Sequence, residues 1–159
     1  MQFFRCGILA ALLVFTQSAM ALTIESVTTV TDDNGGSLTI SSSGSAFADG
    51  GSSETDLVAN AFSPRGEAAL SGELTRSRSR GADSVSTVYN GSFSIDGSDP
   101  DGNPVTISVS LQDLAVLRDG QGPDFSGTVV INGTAFDATQ LPERAAQVVR
   151  RALRLFVFA

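Results

Sequence analysis

The chain has no histidine, a single cysteine and no tryptophan, and from Leu22 onward it has no lysine or cysteine either. Each absence removes a kind of chemistry. Without imidazole, amine or thiolate, a Ser-His-Asp arrangement, a cysteine nucleophile and a zinc site of nitrogen and sulfur ligands are all excluded. Cys6 has no second cysteine to join in the chain, so stability must come from a packed core. Aromatic residues are also scarce, at 7%, with one tyrosine. Outer-membrane barrels carry aromatic girdles and an outward apolar band, so an integral barrel is disfavoured, and the chain is not expected to be an integral membrane protein. All ten basic residues are arginine, the bias expected of a GC-rich bacterial genome.

What is present at the start is an export label. Arg5 supplies a positive n-region, Gly7 to Phe15 an apolar h-region, and Ala19-Met20-Ala21 a small-x-small cleavage site, the pattern of a secretory signal peptide covering residues 1–21. A membrane anchor needs about 20 unbroken apolar residues, and Thr16, Gln17 and Ser18 interrupt this run. Residues 1–21 contain no Arg-Arg pair and no cysteine at the cleavage point, so ordinary Sec export without a lipid anchor is expected. The mature protein is then secreted or periplasmic, a single β-rich domain over 22–159.

Charge is unevenly placed. Between Leu22 and Gln140 there are 16 acidic residues and five arginines, a net of −11, whereas Leu141 to Ala159 carries four arginines and Glu143, a net of +3. Nucleic acid is not an expected partner of so acidic a body, because phosphate binding rests on clustered cations. Acidity also serves solubility in an exported protein.

Most of the mature chain alternates with a period of two. Val105 to Leu111 puts Val105, Ile107, Val109 and Leu111 on one face and Thr106, Ser108 and Ser110 on the other, a half-buried strand. After Leu111 the apolar residues slip to Leu114, Val116 and Leu117, which a β-bulge near Gln112-Asp113 would correct. Asn90-Gly91 is a hairpin signal, but a turn there would send Val88 and Phe93 to the face opposite Tyr89. A continuous strand unites Val85, Thr87, Tyr89, Phe93 and Ile95, with Gly91 as a bulge or close-packing point. For Asn132-Gly133, a hairpin unites Val129, Ile131 and Phe136 and a continuous strand separates them, so both readings stand. Polar Ser37 to Ala48 reads as an edge strand or an irregular one, Asp49 to Ser53 as a turn, and Ala61 as sharing a face with Leu57 and Ala59. Thr139, Pro142 and Glu143 mark a helix start, and Leu141, Ala145, Val148, Val149, Ala152, Leu153 and Phe156 form the apolar stripe of a helix over 141–156. The predicted fold is all-β, about seven antiparallel strands in meander order curled into a barrel or half-barrel under one C-terminal amphipathic helix. A two-sheet β-sandwich is the alternative.

Candidate sites are few. Asp96, Asp99 and Asp101 supply hard oxygen ligands on a tight glycine turn, as calcium requires. The Asp99-Pro100-Asp101-Gly102 run resembles the motif of bacterial cadherin-like and related extracellular repeats, and that resemblance implies calcium-linked adhesion. The loop departs from an EF-hand, with Gly97 at the first ligand position and Ser108 at that of the bidentate Glu; a plain turn is the competing account, and no other cofactor is expected. Arg76, Arg78 and Arg80 form a candidate anion-binding tip. In register they would share the face of Leu70 and Leu74, where unpaired charge is costly, so the strand is expected to end, bulge or leave the sheet before them. The helix arginines suit an anionic membrane surface or packing across the sheet mouth. Val85, Tyr89, Phe93, Ile107 and Val109 would line a small apolar ligand if the barrel were hollow. Two-carboxylate glycosidase chemistry survives the exclusions, but most acids fall in turns, with Glu25, Glu67, Glu73 and Asp113 the few on strands. The leading expectation is therefore a non-enzymatic exported protein that binds an envelope or surface component or has a structural role. Intact-mass measurement of protein from an exporting host should show loss of residues 1–21 and a new terminus at Leu22; retention of Met1 to Ala21 rejects the export reading.

Overall fold

The computed structural model describes residues 22–47, 50–64, 66, 68–119 and 123–157, so the signal peptide expected over residues 1–21 lies outside the described residues. Eight strands form one antiparallel sheet in sequence order: β1 Leu22–Thr31, β2 Ser37–Phe47, β3 Gly50–Phe62, β4 Ala69–Arg80, β5 Val85–Ser98, β6 Pro104–Arg118, β7 Pro123–Ile131 and β8 Thr134–Asp137. The first and last strands do not pair with each other, so the sheet is open and of half-barrel type. The chain closes with a 3-10 turn at Ala138–Gln140 and one helix, α1, at Glu143–Val157. Among the described residues no helix is long and apolar enough to cross a membrane.

Residues directly opposite one another in an antiparallel pair point to the same face, so the register assigns every strand side chain to a side. One row runs Val30, Leu38, Ala59, Gly72, Phe93, Val109, Ile131, and the next runs Ile40, Leu57, Leu74, Gly91, Leu111, Val129, Phe136. This is the core face. The helix brings Val149, Ala152 and Phe156 into the same buried cluster. Phe156 meets Phe93 edge to face, with ring centroids 5.3 Å apart at 72°, a geometry that aligns ring edge with ring face. The outer face is polar, and Thr29 with Thr39 and Ser45 with Ser52 share hydrogen bonds across it at 3.1 and 3.3 Å.

Two bulges keep parity with the core. Between Leu111 and Leu114 the register with β5 and β7 shifts, and Asp113 takes φ 50°. Asn90 clamps this bulge, its Oδ1 accepting from the Asp113 amide at 2.7 Å and its Nδ2 donating to Asp113 Oδ1 at 3.2 Å. The Asn90-Gly91 pair is accordingly inside a strand. A Cβ on Gly91 would lie 2.3 Å from the Glu73 carbonyl oxygen, so the close approach of β4 requires glycine. The second bulge, between Ala59 and Phe62, sits at Ala61 with φ 48°. It turns Ala61 outward and Phe62 into the core, correcting the expectation that Ala61 shares a face with Leu57 and Ala59.

Other expectations are also revised. Asn132 and Gly133 both have positive φ, 48° and 80°, the type I′ requirement, so they turn a hairpin that places Phe136 opposite Val129. This turn makes the strand count eight, and the single sheet rules out a sandwich. β2 is an inner strand despite its serines, because its outer face is meant for water and its core face needs only Leu38 and Ile40. Gly50 to Ser53 belong to β3 rather than to a turn. The helix starts at Glu143, two residues later than expected, because Asp137 caps the short 3-10 turn first. Truncating Phe156 to Ala removes the ring that locks α1 onto β5. Chemical denaturation should show a loss of about 3–5 kcal/mol; a change below about 1 kcal/mol would mean that the helix does not close the core.

Candidate functional site

Three carboxylates, those of Asp32, Asp99 and Asp137, hold backbone amides. Asp32 lies in the β1–β2 turn, where its Oδ1 accepts from the amides of Asn34 and Gly36, each at 2.9 Å, while its Oδ2 accepts from the Ser63 amide beyond β3. Those bonds, Ser63 foremost, hold its carboxyl below the usual value against an opposing desolvation effect. Asp137 is held low by the Thr139 hydroxyl and then by its amide.

Asp99 is used the same way. Its Oδ1 accepts from the amides of Asp101 and Asn103 at 2.9 and 2.8 Å, and its Oδ2 takes the Asn103 side-chain amide at 3.0 Å. The Asn103 side chain leads the causes that keep this carboxyl low. Asp96 accepts from the Thr106 hydroxyl across β5 and β6, and Asp101 is exposed in the turn. Asp99 is thus committed to the turn, and among the described residues no group of three acidic, His or Cys side chains stands together as a metal site.

The arginines depart from expectation. β4 continues unbroken and in register through Arg80, so Arg76, Arg78 and Arg80 do share the face of Leu70 and Leu74. The cost that argued against this applies only where the face is core. Beyond Leu74 the neighbours are Thr55, Ser53 and Gly51 on β3 and Tyr89, Thr87 and Val85 on β5, and Arg78 and Arg80 are exposed. Arg76 donates from Nη2 to Thr55 Oγ1 at 3.2 Å, and its buried Nε has no hydrogen-bond partner among the described residues. Arg118 joins this group from β6, opposite Val85. Sequence reasoning missed it, although Leu114, Val116 and Arg118 alternate once the Asp113 bulge is allowed.

The strand-borne acids all stand on the other side. Glu25, Glu54, Asp56, Glu73, Asp96, Asp124 and Asp137 fall in outer-face rows, and Asp113 is tied to outer-face Asn90. More acids are thus on strands than expected, while Glu67 lies outside the described residues. Hydroxyls, not cations, serve them: Thr75 donates to Asp56 at 2.8 Å and Ser77 to Glu54 at 3.4 Å. Glu25 and Glu54 flank Ser43 in one row, both exposed, on a shallow groove with Ser45, Ser52 and Ser77.

No family model, curated protein or solved structure matches this chain. Its own geometry must carry the reading. Of the residues expected to line a ligand, Phe93 and Val109 are buried, Tyr89 and Ile107 pack against that core, and Val85 lies four rows from Phe93, beside the arginines. Phe93 is engaged by Phe156, so its ring belongs to helix docking.

The Asp32 bonds have a pH signature. Its folded carboxyl ionises below the ordinary aspartate value of 3.8, so its stabilisation is complete above that value and is lost as pH falls through the lower folded one. The melting temperature of Asp32→Ala should lie below wild type at pH 7, and the gap should close toward pH 2. A gap that does not change with pH would show that the charged form of Asp32 is not what holds the turn.

Proposed function

We propose that this is an exported, non-enzymatic envelope or extracellular protein with a structural binding role, extending its sheet through the free edge of β1. The carrying observation is that edge. Among the described residues β1 pairs only with β2, in an unbroken ten-residue register. Long edges invite strand addition, and proteins ordinarily blunt them with lysine, proline, bulges or a cover. β1 has no Lys or Pro, its one charge is Glu25, and it leaves Ile24 58% and Val27 73% exposed. The opposite edge, β8, is only four residues long.

The absence of catalysis is supported by the residue inventory and by the setting of the acids. A general acid must be raised in pKa by burial or a like charge, and Glu25 and Glu54 are exposed among hydroxyls. Export is supported by the pattern of residues 1–21.

The occupant we assign to the β1 edge is a second copy of the chain, because antiparallel edges are self-complementary about a twofold axis. Sedimentation velocity on purified protein should show a concentration-dependent dimer. Val27→Lys, which puts a charge on a solvated position of the edge, should shift it to monomer without lowering the melting temperature. A wild type that stays monomeric up to millimolar concentration, or a dimer indifferent to Val27→Lys, rejects the edge reading.

A further inference from the structure

The segregation of charge leaves one part of the core face chemically unlike the rest. We infer that the uncovered end of that face, at Arg76, Arg78, Arg80 and Arg118, is a binding site for an acidic polysaccharide chain.

Three observations carry this inference. The first is that, among the described residues, these cations form no ion pair. The strand acids are on the opposite side of a single-layer sheet, and among the described residues none of Arg76, Arg78, Arg80 and Arg118 has a carboxylate within ion-pair distance. Arg76 is fixed in place by Thr55, which is 4% exposed and also accepts from the Ser42 hydroxyl at 3.2 Å. Its buried Nε donor adds an unmet demand for an acceptor.

The second is spacing. Alternate residues on a strand stand about 6.8 Å apart, and neighbouring strands about 4.8 Å. The β4 arginines therefore make a line of cations roughly 14 Å long, and Arg118, two strands from Arg80, widens the far end by roughly 10 Å. One compact ion reaches one or two of these groups, whereas a chain with a charge on each unit reaches all of them. Nucleic acid is opposed by the acidic body of the chain, net −11 from Leu22 to Gln140, because its binding rests on larger clusters of cations than these four. A chain with one carboxylate or sulfate per sugar needs only intermittent cations, and guanidinium forks match either anion.

The third is what lies between the cations. Ser42, Thr55, Arg76 and Tyr89 share one row, and Ser53, Arg78, Thr87, Val116 and Phe125 the next. Phe125 is 44% exposed, so a flat apolar ring stands at the side of a floor of hydroxyls and charges. A chain rich in hydroxyls, with apolar ring faces and intermittent acid groups, has the matching chemistry.

The test is titration calorimetry of protein from an exporting host, at low salt, with hexagalacturonate as probe and (dT)12 as comparison. Wild type should bind the uronate with an affinity that falls as salt rises. Arg78→Ser/Arg80→Ser should weaken it about tenfold or more, while Arg150→Ser/Arg154→Ser, an equal change of net charge on the exposed side of the helix, should leave it within about twofold. Both pairs are solvent-exposed, and circular dichroism confirms that each variant folds. Absence of uronate binding at millimolar probe, an equal loss in both double variants, or binding of (dT)12 as tight as that of the uronate would each overturn the inference. Because β1 plays no part in this site, failure here leaves the sedimentation result standing, and the reverse.

Discussion

The contact between Phe156 and Phe93 is the one on which the rest of the architecture depends. An eight-stranded sheet with one apolar face cannot stand alone in water, and an open sheet has no second wall to bury that face against. The helix is the wall. It reaches the sheet only because the β7–β8 hairpin and the 3-10 turn bring the chain back to the core rows, and Phe156 then lies against β5, in the middle of the sheet. Burying a phenylalanine contributes about 1.5–3 kcal/mol, so the helix docks through a few large side chains while its arginines stay in solvent.

The same requirement explains the bulges. Strand side chains alternate strictly, so any strand longer than the core is wide must either run on into a different environment or be shifted in phase. Both solutions occur. At Gln112-Asp113 and Asn60-Ala61 an extra residue resets parity and returns Leu114 and Phe62 to the core. β4 is not reset, and its alternation carries it from Leu70 and Leu74 directly to Arg76, Arg78 and Arg80. The arginines are tolerated because the neighbouring strands supply Thr55, Ser53 and Thr87 there, not because the strand avoids them.

That difference marks what could be read from the sequence. Wherever an apolar residue appeared out of phase, as at Leu114, a bulge was legible, because burial leaves a signal in composition. The continuity of Val85 to Ser98 through Asn90-Gly91 was legible for the same reason, since only one pairing kept Tyr89, Phe93 and Ile95 together. Asn132-Gly133 has the same two residues and the opposite outcome, and short flanks gave too few apolar positions to decide. The arginine strand was misread because the desolvation argument treated a whole face as core. How far a core extends along a strand depends on which neighbours pair with it, and pairing across β3, β4 and β5 is a long-range property that local alternation does not contain. Asp99 was legible as a turn acid, but its bonds to the amide and side chain of Asn103 are visible only in the folded loop.

Charge separation follows from these rules and constrains what the molecule can do. A guanidinium on the core face and a carboxylate on the outer face are separated by the sheet itself, so they cannot form the ion pairs that normally neutralise surface arginines. Hydroxyls take over on both sides: Thr75 and Ser77 serve the outer acids, and Thr55 serves Arg76. A neutral hydroxyl satisfies geometry without cancelling charge, so each face keeps its own field. The acidic outer face repels anions and the arginine end attracts them, which directs any polyanion to one end of one face. An arginine held by hydroxyls alone also needs no carboxylate to be displaced before it meets an incoming anion.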